Sequence, residues 1–100
     1  SAQRMPQAPE IPTAAEAANL PGFEAVGWAG LIAPARTPSA IVDRVAEEAL
    51  AIVRSPATAE RIVELGATPA PLGPQAFAQF IRDELQKWRA VAQAANVRLD

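Results

Sequence analysis

Residues 23–32, FEAVGWAGLI, constrain this chain more than any other stretch. Read with a period of two, one face carries Phe23, Ala25, Gly27, Ala29 and Leu31, and the other Glu24, Val26, Trp28, Gly30 and Ile32. Glu24 alone is polar. A strand apolar on both faces belongs inside a sheet covered from both sides. Gly27 and Gly30 flank Trp28, and each lets another backbone approach closely. A single strand is not stable by itself, so the first question is what this one pairs with.

The rest of the chain offers little. ATPAPL, residues 67–72, is extended because Pro69 and Pro71 permit little else. Each proline removes a ladder donor, so this stretch is at best an edge. Every other regular segment reads as helix. Thr13 followed three residues later by Glu16 is a capping box, opening a short helix over residues 14–18 that Asn19-Leu20-Pro21-Gly22 ends. Thr37-Pro38 is expected to cap and open a second helix, with Ile41, Val42, Val45, Ala49, Ile52 and Val53 on one stripe. Ser55-Pro56 repeats the device for a third, closed by Gly66. Gly73-Pro74 opens the longest helix, to about Ala95, with Phe77, Phe80, Ile81, Trp88, Val91 and Ala95 on its packing side and an Asp83–Lys87 pair on the other. Residues 1–12 hold three prolines and no periodicity, and read as an extended arm. The final stretch, NVRLD, closes the chain.

Composition excludes several chemistries. The chain has 100 residues, about one small domain, and only five aromatic residues to build a core. It contains no cysteine and no histidine, which removes disulfides, a thiol nucleophile, imidazole-ligated zinc and a Ser-His-Asp relay. The net charge of −2 and the scattered arginines give no basic patch, so nucleic acid is not the expected partner. No apolar run approaches the ~20 residues that span a bilayer. The first twelve residues have no apolar core of a signal peptide, although a processed product looks the same. Glu16 and Glu24 are carboxylates without any catalytic companion, so no enzyme, metal or cofactor is implied.

The order of fragments is specific. EIPTAAEA, then LPGFEAVGWAGLIAPARTP, then IVDRV, then SPATAERIVELGATPAPLGPQAFAQFIRDELQKW resembles the C-terminal third of the substrate-binding proteins of tripartite tricarboxylate transporters, the Bug or TctC family. The likeness runs over nearly the whole chain. It implies an α+β, mostly helical segment: a partial lobe of a periplasmic-binding-protein fold (type II-like, Venus flytrap), with one main strand and three to four helices. Residues 1–12 would be its arm and residues 13–100 an incomplete domain. The family implies periplasmic capture of a small carboxylate and delivery to a membrane permease. The partner strands of residues 23–32 would lie in the earlier part of such a protein.

Three positions are candidates for ligand contact, Trp28 by its place in the family motif. Trp28 would wall a ligand pocket at the hinge, Gly27 would bring a backbone N–H to a carboxylate, and Thr13 would offer its hydroxyl. Each has a plainer reading as well: core or interface packing for Trp28, close strand packing for Gly27, capping for Thr13. The chain departs from the family pattern at Arg36, where glycine is usual and a positive φ would strain arginine, and in EAANLPGF, which is one residue longer. An alternative is a free-standing remnant that completes its sheet by self-association, as a homodimer through residues 23–32, and binds no solute.

Overall fold

The computed structural model describes residues 1–97 and divides the chain into two units, Ser1–Ile32 and Ala33–Asp100. The last three residues of the NVRLD stretch lie outside the described residues. Four helices follow in order: α1 (Ala14–Ala17), α2 (Ser39–Arg54), α3 (Pro56–Glu64) and α4 (Pro74–Ala94).

In the first unit, α1 starts on the capping box. Thr13 Oγ1 accepts from Glu16 N at 3.2 Å, and Glu16 Oε2 accepts from Thr13 N at 2.7 Å. The helix ends on Asn19 at φ 50°, with Leu20 N donating to Ala15 O (2.9 Å) and Asn19 N to Glu16 O (3.3 Å). That is a Schellman closure on asparagine, the non-glycine residue that best tolerates a left-handed backbone. The extra residue of the EAANLPGF turn is therefore absorbed within the helix stop. Before α1, residues 1–12 hold two turns, closed by Ala8 N to Met5 O and Ile11 N to Ala8 O.

The expected strand at residues 23–32 is not formed, and neither is an edge strand at residues 67–72. Among the described residues there is no β-bridge at all. The reason is physical: a strand exists only through its ladder to another strand. Residues 67–72 offer two prolines and close on themselves instead, with Leu72 N donating to Ala70 O at 2.9 Å. The α+β expectation is corrected to a described chain of helices and irregular segments.

The second unit is helical. Ser55 both ends α2 and begins α3: its N–H donates to Ile52 O (3.0 Å), and its Oγ accepts from Thr58 N (3.4 Å). Pro56 sits at the first position of α3, where a missing N–H costs nothing. Hence α2 and α3 turn on one residue and pack together. Their junction is followed by a second Schellman closure at Gly66, φ 78°, with Gly66 N to Val63 O and Ala67 N to Ile62 O. Nothing lies within 4 Å of the place a Cβ would take on Gly66. Gly66→Ala should therefore cost about 1 kcal/mol of purely backbone origin. Helix content by circular dichroism checks this at a temperature where α3 is partly frayed, and unchanged content would mean that α3 does not depend on its stop.

Two expected details change. Thr37 does not cap α2. It is held in a turn by Thr37 N to Pro34 O (3.0 Å), and Pro38 takes the capping position without a side-chain bond, its carbonyl accepting from Ile41 N and Val42 N. Lys87 pairs with Glu84 rather than Asp83, and Asp83 Oδ1 accepts from Gln79 Nε2 at 2.8 Å. Arg36 keeps a negative φ, so its replacement of glycine stores no strain.

The packing is shallow throughout. On α2, Val42, Ala46, Ala49, Leu50 and Val53 are half-buried, whereas Ile41, Val45 and Ile52 are exposed beside them. On α4, Phe77, Phe80 and Ile81 are half-buried, with the two phenyl rings stacked at 6.3 Å. The same stripe then runs on uncovered through Leu85, Trp88 and Val91. No described residue is buried. The chain leaves 8437 Å² accessible, where a self-sufficient domain of 10.5 kDa leaves about 5,400 Å². Trp88, read from its spacing as a packing residue, is 43% exposed.

Candidate functional site

The three residues singled out in the sequence, Thr13, Gly27 and Trp28, all fall in the first unit. Thr13 is fixed by its capping duty. Glu16, its capping partner, is also the acceptor of an ion pair: Arg4 Nε donates to Glu16 Oε2 at 2.9 Å, and Arg4 Nη1 donates to Pro9 O at 3.1 Å. Arg4 thus ties the proline-rich stretch to the start of α1. Sequence reasoning missed this residue, since a separation of twelve positions leaves no periodic signal. A second tie runs from Ala2 N to Glu24 Oε1 at 3.2 Å.

Around these groups lies a shallow cleft of about 200 Å³, lined by Arg4, Met5, Ile11, Pro12, Thr13 and Ala14 among others. Its walls are mainly apolar carbon, and the Arg4 guanidinium in it is already engaged by Glu16. Gly27 and Trp28 are not among its lining residues. The structure therefore does not assemble the three predicted residues around one cleft. At Gly27 nothing lies within 4 Å of where a Cβ would sit, so no close packing demands glycine there. Trp28 is 48% exposed.

Glu16 has a shifted affinity for protons. Its carboxyl sits below the ordinary glutamate range, first because the Arg4 side chain donates to it, then because the Thr13 N–H does. A carboxyl with a lowered folded value contributes its stabilisation fully above the ordinary value, and loses it as pH falls through the lowered one. Acidification should therefore release Arg4 and loosen α1 together. Titration of the Glu16 carboxyl by NMR checks this: Arg4→Gln should raise the midpoint, and an unchanged midpoint would show that the pair is not formed in solution.

In the second unit a groove of about 310 Å³ is lined by Asp43, Ala46, Glu47, Leu50, Arg54 and Pro74. It carries both signs of charge and no convergent polar set. Among the described residues there is no group of three or more acidic residues placed to hold a metal. No described helix is long and apolar enough to cross a membrane.

The sequence model of the family described as "Tripartite tricarboxylate transporter family receptor" (TctC) matches residues 1–97. The chain belongs to the tripartite tricarboxylate transporter receptor family. Among the similar TctC-family proteins, "UPF0065 protein in tcbD-tcbE intergenic region" of Pseudomonas sp. (strain P51) is 39% identical over 89 residues, 89% of this chain and 26% of that protein. Protein BugT of Bordetella pertussis is 31% identical over 99 residues, 99% of this chain and 30% of BugT. "UPF0065 protein in clcB-clcD intergenic region" of Pseudomonas knackmussii is 31% identical over 88% of this chain and 52% of its own length. The chain thus spans between about a quarter and a half of the TctC-family relatives it matches. No solved structure matches it.

Proposed function

We propose that this chain is the C-terminal segment, residues 13–100 preceded by a proline-rich arm, of a periplasmic receptor that captures a small carboxylate for a tripartite transporter permease. The observation that carries the reading is the family match over residues 1–97. The receptor does no covalent chemistry, in keeping with a family described as receptors and with carboxylates that have no catalytic companion.

In this reading Thr13, Gly27 and Trp28 contribute one wall of the carboxylate site when the rest of the receptor is present. Gly27 has open space on its side-chain face, and Trp28 keeps about half its surface for a further contact. A closed two-lobe site buries its ligand from both sides, so this chain alone should show no calorimetric heat with small di- or tricarboxylates. A receptor that includes it should bind one of them, and Trp28→Ala should weaken that binding at least tenfold. Micromolar binding by the 100-residue chain alone would contradict the shared-wall site.

The second reading is a free-standing chain that homodimerises and captures no solute. The exposed apolar stripes of α2 and α4 favour it. Sedimentation at rising concentration separates the two readings: a stable dimer supports the second.

A further inference from the structure

We propose that Arg4 is a positioning residue of the carboxylate site: it holds and neutralises the Glu16 carboxylate, so that the Thr13 hydroxyl beside it can donate to an anionic ligand. The inference rests on the proposed function and adds to it the charge balance around Thr13.

Charge poses the problem. Residues 1–32 contain Glu10, Glu16 and Glu24 and a single basic side chain, Arg4. Of these acids, Glu16 is bound directly to Thr13: its Oε2 accepts from Thr13 N at 2.7 Å. The capping box that fixes Thr13 thus sets a negative charge against it. A ligand oxygen at hydrogen-bond distance from the Thr13 hydroxyl stands within roughly 8 Å of that charge, inside about one screening length at physiological salt. A four-residue helix has little dipole of its own to offset the repulsion.

Geometry answers it. Arg4 Nε donates at 2.9 Å to Glu16 Oε2, the same oxygen that Thr13 N engages. Arg4 Nη1 donates to Pro9 O at 3.1 Å, which steadies the guanidinium from a second side. These donors keep the carboxyl ionised, and the pair as a unit carries no net charge. All the groups involved lie within residues 4–16.

Thr13 keeps a proton to give. A hydroxyl has one hydrogen and two lone pairs. One lone pair accepts from Glu16 N at 3.2 Å, and the O–H donates to no group among the described residues. A carboxylate oxygen is the acceptor that suits it, provided that the neighbouring carboxylate is neutralised.

Charge and structure can be separated at position 16. Glutamine serves in a capping box as glutamate does, so Glu16→Gln removes the charge and keeps the cap. The test uses a receptor that includes this chain, made by joining it to BugT from which the matched 99 residues are deleted. Calorimetry with succinate and citrate reads the affinity. Arg4→Gln should raise the Kd at least about fivefold at low salt and less than about twofold at 0.5 M salt, where the bared Glu16 charge is screened. The double variant, Arg4→Gln with Glu16→Gln, should return to within about twofold of wild type, and Glu16→Gln alone should bind at least as tightly as wild type. An Arg4→Gln loss that Glu16→Gln does not rescue, or that salt leaves unchanged, overturns the inference, because Arg4 then touches the ligand or merely holds the loop. So does weaker binding by Glu16→Gln alone, or an Arg4→Gln receptor that binds as wild type does. Those results leave the proposed function standing. A wild-type receptor that binds neither succinate nor citrate defeats the proposed function and this inference with it.

Discussion

Trp88→Ala is expected to change the stability of the 100-residue chain by no more than about 1 kcal/mol, and to cost about 3–5 kcal/mol once α4 is covered. The indole is tied into its own helix. Its Nε1–H donates to Glu84 Oε2 at 2.8 Å, Glu84 pairs with Lys87, and Lys87 Nζ lies 5.2 Å from the ring centroid. Contacts three and four residues apart contribute about 0.2–0.5 kcal/mol each, and an exposed cation–π contact about 0.5–1 kcal/mol. Alanine returns part of that through its higher helix propensity. With 43% of Trp88 exposed, a large part of the ring's transfer energy is gained only when a partner covers it. Covered by a partner, the same ring would leave a cavity the size of an indole. Helix content of the wild-type and variant chains alone, followed by circular dichroism, reads the first effect, and urea titration of each chain joined to the complementary part of BugT reads the second. A loss of 3 kcal/mol or more in the chain alone would show that the ring finds cover within these 100 residues.

The helices were legible because their signals are local. Thr13 with Glu16, Ser55-Pro56, Gly66 and Gly73-Pro74 each act within four residues, and each does in the structure what its position predicts. The strand was misread for the opposite reason. Alternation in residues 23–32 records which environment the residues suit, and a strand also needs a ladder that none of the other described segments supplies. The same distinction explains Trp88: its spacing places it on the apolar arc of α4 but says nothing about whether anything packs against that arc. Of the candidate site, Thr13 was readable as a cap. The contact of Arg4 with Glu16 joins two irregular stretches and has no sequence signature. Lys87 shows the limit of pair rules, because both Asp83 and Glu84 lie within reach of it on the helix surface, and the sequence does not choose between them.

Heating the chain alone is expected to give no cooperative transition. A two-state domain of 100 residues absorbs about 70 kcal/mol at its midpoint, and that enthalpy comes from a packed interior lost all at once. Here no described residue is buried, so the helices have little to hold them to a common fate. They should melt by length. Isolated helices below about 12–15 residues are marginal in water. The 4-residue α1 and the 9-residue α3 should therefore fray first, and the 21-residue α4 last. The Arg4–Glu16 pair and the Ser55 junction delay this locally. The exposed stripes of α2 and α4 should bind a hydrophobic dye such as ANS at room temperature, and the near-ultraviolet signal of Trp28 and Trp88 should be weak. Scanning calorimetry gives the decisive reading. A single sharp peak near 70 kcal/mol, with calorimetric and van't Hoff enthalpies equal, would mean that the chain builds a core of its own. A broad, shallow trace that sharpens when the complementary part of BugT is added would show that the missing interior comes from the partner.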